Sequence, residues 1–257
     1  MILAIDIGNT NITLGGYKNE QLVFISRMYT SRNKTAEEYA TGLLDLINFN
    51  NLSPEAFDGI VLSSVVPQLT EVFYRAVSLT IKKNPIIVGE QHHGGLKVDV
   101  LPISQLGADL IAGCVGALSK YPTPCIVADL GTATKLLVLD KSGYFTGCII
   151  APGVKISLDA LASSAALLPS ISFTKPDKVI GTNTVECMQS GSVYGTAAML
   201  DGLIRRIKNE LGEDNVSVVA TGGYSKGIIP CCEEELIFDE NLVLDGLREI
   251  YNEAQGK

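Results

Sequence analysis

The chain reads as short apolar runs broken by compact polar turns, with longer amphipathic stretches between them. Residues 1–17 pattern as strand, tight turn, strand: MILAIDI, then GNTN, then ITLGGY. Alternation over 21–29 adds a third strand. Thr35-Ala-Glu-Glu38 is a capping box, and Tyr39, Leu43, Leu46 and Ile47 follow at helical spacing. GIVLSSVV (59–66) predicts a buried strand. Pro67 opens a helix carrying Leu69, Val72, Phe73, Ala76 and Val77. PIIVG predicts a short strand, and 105–120 a helix.

The second half repeats this plan. CIVADL (125–130) predicts a strand, GTAT a turn, KLLVLD a strand and YFTGCIIA another. A long helix is expected over 184–211, stopped by Gly212. VSVVA (216–220) predicts a strand running into Thr-Gly-Gly, and 241–253 a closing helix. Within this plan Asp6-Ile-Gly8-Asn-Thr10 aligns with Asp129-Leu-Gly131-Thr-Ala-Thr134, each between apolar strands. Two such units, half a chain length apart, predict two similar α/β halves facing each other across a cleft. The expected division is 1–115, with the first loop, and 116–257, with the second loop and the Thr-Gly-Gly element.

Composition narrows the partners. In 257 residues, 46% hydrophobic content is enough for a sizeable core. The net charge of −8 argues against nucleic acid and against an anionic membrane surface. No apolar run reaches the roughly 18 residues of a membrane span, and the first residues lack the basic flank of a secretory signal. The expectation is a soluble cytoplasmic protein. The six cysteines form no C-x-x-C pair and mostly sit in apolar runs, so buried free thiols are expected. His92 and His93 are sequence neighbours that point apart, a poor metal pair.

The turns carry the candidate chemistry. A tight turn after a strand exposes backbone N–H groups, and Gly8 and Gly131 allow phosphate oxygens to approach closely. Asn9, Thr10, Asn11, Thr132 and Thr134 add side-chain donors. Asp6 and Asp129, one beside each loop, suit a cation or its water shell. Gly222 and Gly223 clear a backbone surface on which a flat ring can lie. Neither G-x-x-x-x-G-K-[ST] nor a complete G-x-G-x-x-G occurs. Asp109, among apolar neighbours, is either a site carboxylate or a helix cap. Gly191, Gly195 and Gly202 would let the long helix approach a neighbour, either inside the chain or in a second copy.

Together, DIGNTN, DLGTAT and TGG resemble the actin, hexokinase and Hsp70 superfamily. Within it, the chain is similar to type III pantothenate kinases through MILAIDIGNTNITLG, SSVVP, LGAD, ADLGTAT, APG, ALLPSI, GTNT, QSGSVYG, ATGG and GLREIYN. The resemblance implies two ribonuclease H-like halves of the actin-like ATPase type with an ATP cleft between them. It implies phosphorylation of pantothenate to 4′-phosphopantothenate by ATP, the first step toward coenzyme A. It also implies a cytoplasmic homodimer that needs Mg²⁺ and a monovalent cation, K⁺ or NH₄⁺. By the same resemblance Asp6, Ile7, Gly8, Asn9, Thr10, Asn11, Ile12 and Thr13 form the first phosphate loop. Gly131, Thr132, Gly222 and Gly223 complete the ATP site, and Asp129, with Asp6, lies at a metal position. Asp109 is implied as general base, with Gly107, Ala108, Leu110 and Thr184 at the acceptor.

The chain departs from the family at telling places. The family usually carries Arg where Leu110 stands, and Thr where Lys135 stands. Gly147-Cys148-Ile-Ile-Ala-Pro-Gly153 replaces a segment with a glycine pair, and 96–106 lacks a recognisable tyrosine. Loss of an arginine contact to an anion corresponds to about 2–3 kcal/mol, roughly 30–150-fold. Nucleotide binding is therefore expected to survive better than pantothenate turnover. Two alternatives remain beside the pantothenate reading: another small-molecule acceptor, or a nucleotide-binding regulatory protein. The Lys135 ammonium is placed to reach phosphate or to take the monovalent cation's position; the plain alternative is a lysine on an exposed strand face.

Overall fold

The structure, a computed structural model, describes residues 1–100 and 102–256. Leu101, inside the divergent 96–106 stretch, and Lys257 lie outside the described residues. The chain forms two compact units, one of residues 1–120 with the segment from Leu242 onward, the other Tyr121–Asn241.

The first unit begins with β1 (Ile2–Ile7), β2 (Asn11–Lys18) and β3 (Gln21–Tyr29). Helix α1 (Ala36–Phe49), β4 (Gly59–Ser64) and α2 (Pro67–Ile81) follow. Two short strands, β5 (Ile86–Ile87) and β6 (Lys97–Val98), then lead to α3 (Ala108–Lys120). The second unit holds β7 (Cys125–Leu130), β8 (Ala133–Leu139) and β9 (Tyr144–Pro152), then α4 (Val154–Ser164) and α5 (Thr184–Leu211). It ends with β10 (Ser217–Thr221), the short α6 (Ser225–Ile228) and β11 (Ile237–Phe238). The C-terminal helix α7 (Leu242–Ala254) belongs to the first unit.

The sequence repeat becomes a repeat of sheet topology. In the first unit the strands run β3-β2-β1-β4-β5. Strands β1–β2 and β2–β3 pair antiparallel, and β1–β4 and β4–β5 parallel. In the second, β9-β8-β7-β10-β11 repeats the same order and the same senses. In each unit the Asp-x-Gly segment sits at the carboxyl end of the central strand, where open α/β sheets receive ligands.

Alternation along β1 sorts its side chains between two faces. Leu3, Ile5 and Ile7 join Ile12, Leu14, Ile60 and Leu62 in a core covered by α1 and α2. Helix α1 starts as its capping box predicts: Glu38 N–H donates to Thr35 Oγ1, and Thr35 N–H to Glu38 Oε2. Asp6 and Ser63, register partners on β1 and β4, point to the opposite face. Helix α7 packs against these two strands and against α3.

Grouping α7 with 116–257 is corrected by this packing. Leu244, Leu247 and Ile250 are buried, and backbones approach where α3 and α7 cross. A Cβ on Gly246 would stand 1.8 Å from the Ala112 carbonyl oxygen, and one on Gly116 2.2 Å from that of Leu242. The Tyr17 hydroxyl and the Lys120 ammonium both donate to Asp245, at 2.6 and 2.8 Å. The boundary after 115 is corrected as well, because α3 continues unbroken to Lys120.

Two further expectations change. Strand β8 begins at Ala133, inside the stretch expected to turn, because Ala133 pairs with Pro152 on β9, while toward β7 the ladder ends at Leu130 and Thr134. Only Cys114 and Cys125 of the six cysteines are buried; Cys148 and Cys187 are exposed, and Cys231 and Cys232 are half-buried. Burial pushes the Cys125 thiol up to about 12.

Candidate functional site

The first unit places one group of candidates at the carboxyl end of β1. The loop after β1 is a closed turn: Gly8 N–H donates to the Asn11 carbonyl at 3.0 Å. Thr30 anchors it from β3, with its hydroxyl on the Gly8 carbonyl (2.7 Å) and its N–H on that of Thr10 (3.0 Å). The Gly8 N–H is therefore spent inside the turn, and Asn9, Thr10 and Asn11 form its exposed tip. Ile7 and Ile12 point into the core, so of the eight residues expected here these two can offer a ligand only backbone. Thr13 is the register partner of Asp6 across the hairpin.

Beside Asp6, the Ser63 hydroxyl is fully buried and has no hydrogen-bond partner among the described residues. A buried hydroxyl left this way next to a carboxylate suits a water or a hydrated cation, and the sequence marked Ser63 only as the first letter of SSVVP. Arg32 is a second addition, since its guanidinium reaches Asn9 Oδ1 at 3.4 Å and puts positive charge at the loop tip.

Asp109 lies in the first turn of α3 and is half-buried. Its Oδ1 accepts the Leu110 N–H at 2.9 Å. Gly107 leaves the carboxylate its space: a Cβ there would stand 2.7 Å from Asp109 Oδ1 and 3.8 Å from a Val65 methyl, just past β4. Thus Gly107, Ala108, Asp109 and Leu110 begin a helix next to the carboxyl end of the strand that carries Ser63. Leu110 presents an aliphatic side chain at the position expected to hold a guanidinium in relatives.

The second unit gathers the other group. Asp129 is the penultimate residue of β7, and Gly131 N–H closes the turn onto the Ala133 carbonyl at 3.1 Å. Thr132 is exposed at the tip, whereas Thr134 is buried and its hydroxyl has no partner among the described residues. The Thr-Gly-Gly element packs onto this turn. Gly222 has φ +94°, and a Cβ there would come within 2.8 Å of Asp129 Oδ1 and 2.7 Å of the Leu130 carbonyl oxygen. Tyr224 N–H donates to that same carbonyl at 3.2 Å. A Cβ on Gly223 would meet nothing within 4 Å, so this side of the backbone is open. Gly153 closes the other flank, since its Cβ would lie 2.2 Å from the Thr132 carbonyl oxygen. The APG segment had been noted only as part of a resemblance; its role in seating the loop appears once β9 and the turn are packed.

Lys135 is not a lysine on an exposed strand face. It is the register partner of Asp129 across the hairpin, and its Nζ lies 2.7 Å from Asp129 Oδ2. The two side chains are 14% and 20% exposed. The carboxylate expected to hold K⁺ or NH₄⁺ already carries an ammonium, and the residues present do not suit a separate monovalent cation there.

Thr184 opens α5, where the Asn183 side chain caps the helix by accepting the Glu186 N–H at 3.0 Å. It lines a cavity of about 820 Å³ in the second unit, between α4 and the N-terminal half of α5. Gly191 and Gly195 face that space with nothing within 4 Å of a Cβ. Gly202 differs, since a Cβ there would stand 3.3 Å from Arg206 Nη1. Among the described residues no helix is long and apolar enough to cross a membrane.

Two similar units with antiparallel hairpins, parallel crossovers and a glycine turn at each central strand define an actin-like ATPase fold. Solved structures agree. A ROK hexokinase from Thermus thermophilus matches with TM-score 0.52 and 11% identity, over 100% of this chain and 99% of that one. A putative Baf family transcriptional activator from Campylobacter jejuni matches with TM-score 0.61 and 19% identity, over 99% and 100%. The sequence comparisons are closer. The profile of the type III pantothenate kinase family matches residues 2–206. Proteins described as type III pantothenate kinases from Exiguobacterium sp. and Shouchella clausii are 41% and 40% identical, each over 99% of this chain and 100% of their own length. The chain belongs to the type III pantothenate kinase family, enzymes that phosphorylate pantothenate on the route to coenzyme A.

Proposed function

We propose that Asp109 is the general base in transfer of the ATP γ-phosphoryl to the primary hydroxyl of pantothenate. The observation that carries this reading is the placement of its carboxylate in the first turn of α3, beside the end of the strand that bears Ser63. In the transfer, the hydroxyl proton passes to an Asp109 carboxylate oxygen as its own oxygen bonds to Pγ. The bond from Pγ to the β,γ-bridging oxygen breaks, and ADP leaves with the electron pair. In the first unit Asn9, Thr10 and the adjoining backbone are phosphate ligands; in the second Thr132 is one, and Gly222 and Gly223 receive the adenosine. Asp6 and Ser63 suit a hydrated Mg²⁺, which when bound offsets the phosphate charge.

Gly107, Ala108 and Leu110 bound the acceptor. A homodimer is supported by the open face around Gly191 and Gly195, where a second copy would find small residues. A cytoplasmic location is part of the same reading.

The test is ADP release from MgATP with pantothenate, beside equilibrium ATP binding, for wild type and Asp109→Asn. The expected result is pantothenate-dependent turnover that falls by at least about 100-fold in Asp109→Asn while ATP still binds. Equal turnover in the variant would overturn the assignment. Phosphorylation of some other alcohol in preference to pantothenate would redirect the acceptor side and leave the base in place.

A further inference from the structure

We propose that the Lys135 ammonium is a built-in replacement for the monovalent cation, so that nucleotide binding to this protein does not depend on K⁺ or NH₄⁺. The inference rests on the reading of the second loop as a nucleotide site.

Three observations converge. First, Asp129 and Lys135 are directly opposed on β7 and β8, one pair before the closing Leu130–Thr134 pair of a turn through Gly131, Thr132 and Ala133. Opposed residues of an antiparallel pair project from the same face with close Cβ atoms, so the register itself brings the charges together. Second, the contact is short, 2.7 Å from Nζ to Oδ2, and both side chains are mostly withdrawn from water. A charge-assisted bond in that setting is held far more firmly than a surface ion pair. Third, the other carboxylate oxygen faces Gly131 and Gly222, whose Cβ atoms would lie 3.3 and 2.8 Å from it. The paired charges therefore sit on the floor where the loop and the Thr-Gly-Gly element meet.

A monovalent cation at this carboxylate would have two tasks: to neutralise Asp129, and to present one positive charge beneath incoming phosphates. The lysine ammonium meets both. It matches ammonium in charge and in its N–H donors, and because it is tethered across the hairpin its presence at Asp129 does not depend on the salt in solution. A diffusing cation would have to displace that ammonium or stand beside it against like-charge repulsion. Thr or any neutral residue at 135 leaves Asp129 uncompensated next to anionic phosphate, and a free cation then becomes necessary.

The experiment measures equilibrium binding of a non-hydrolysable ATP analogue with Mg²⁺, against KCl at constant ionic strength set with choline chloride. Wild type, Lys135→Thr and Lys135→Met are compared, with their melting curves recorded to establish that each is folded. The expected result is a wild-type Kd that changes less than about twofold with K⁺. Both variants should bind at least about tenfold more weakly without K⁺, and Lys135→Thr should recover with KCl or NH₄Cl but not with choline chloride. Wild-type affinity that rises about tenfold with K⁺ overturns the proposal and leaves the nucleotide site standing, whatever the variants do. Lys135→Thr binding as tightly as wild type without K⁺ overturns it as well. Failure of the wild type to bind the analogue in any salt removes the nucleotide site, and this proposal with it.

Discussion

Adding one methyl group at Gly222 separates what its backbone requires from what its ligand requires. The residue has φ +94°, and the new Cβ would lie 2.6 Å from the Leu130 carbonyl carbon, 2.7 Å from its oxygen and 2.8 Å from Asp129 Oδ1. The first two contacts are backbone, so no side-chain rotation relieves them. Left-handed strain costs about 1–2 kcal/mol and forced repacking about 1–3, so Gly222→Ala should lose about 2–5 kcal/mol. For a chain of this size that lowers Tm by roughly 5–15 °C. The movement that relieves the clash also pushes the turn off Asp129, so ATP affinity should fall too. Gly223→Ala is the control, because a Cβ there meets nothing within 4 Å and φ is ordinary. Its Tm should stay within about 2 °C of wild type, while its methyl group stands on the surface assigned to adenosine and weakens binding by roughly tenfold. Thermal melts and nucleotide titrations on both variants decide the matter. A Gly222→Ala protein that melts with the wild type would refute the packing argument. A Gly223→Ala protein that binds ATP normally would refute the adenosine assignment.

Leu110→Arg restores a guanidinium beside Asp109 and should raise kcat/KM for pantothenate by about 30-fold or more if the acceptor pocket has kept its shape; an unchanged value would place the compensation elsewhere. Asp201 is a buried carboxylate on α5 that accepts the N–H groups of Glu233 and Glu234, both at 3.0 Å. Asp201→Ala strands these donors and should cost about 3 kcal/mol in urea denaturation, whereas a loss below about 1 kcal/mol would mean that water replaces it. Asn183→Ala removes the α5 cap and should cost about 1 kcal/mol by the same assay. At pH 8 iodoacetamide should label the exposed Cys187 well before Cys125 and Cys232, whose thiols burial holds neutral up to about 12. Because those two values are raised from an ordinary 9, their contribution to stability is intact below pH 9 and declines as pH climbs toward 12. Melting curves that do not change over that interval would contradict the burial.

Much of the architecture was legible because its signals are local. The capping box of α1, Pro67 at the head of α2 and Gly212 at the end of α5 all act within one helical turn. Strand periodicity likewise located β1 through β4 and β7 through β10. Helix α4 went unread because Val154–Ser164 has a weak apolar face, with only Val154 and Leu158 buried. Cys148 was misjudged for a related reason: β9 exposes alternate residues along its outer half, although its letters form an apolar run.

Among the site residues, the two Asp-x-Gly turns and the Thr-Gly-Gly element were evident, since the Asp-x-Gly unit recurs in the same strand-turn-strand setting and Thr-Gly-Gly follows a further strand. Ser63 was not, because nothing in a chain of letters distinguishes a satisfied strand serine from one left without a partner. Gly153 was visible only as part of a motif, and its reason for being glycine is the carbonyl of Thr132 packed against it.

The amino-acid order settled the element types, the internal repeat and the family, all of which depend on patterns a few residues long. Packing settled three other things. It returned α7 to the first unit, where facing glycines allow α3 and α7 to cross closely. It set Asp109 at the carboxyl end of β4, although α2, β5 and β6 lie between them along the chain. It also paired Lys135 with Asp129, because the turn through Gly131, Thr132 and Ala133 fixes the register of the hairpin. Local propensity depends on neighbours along the chain, whereas a charge or a clash depends on neighbours in space, and only the folded chain brings those into contact.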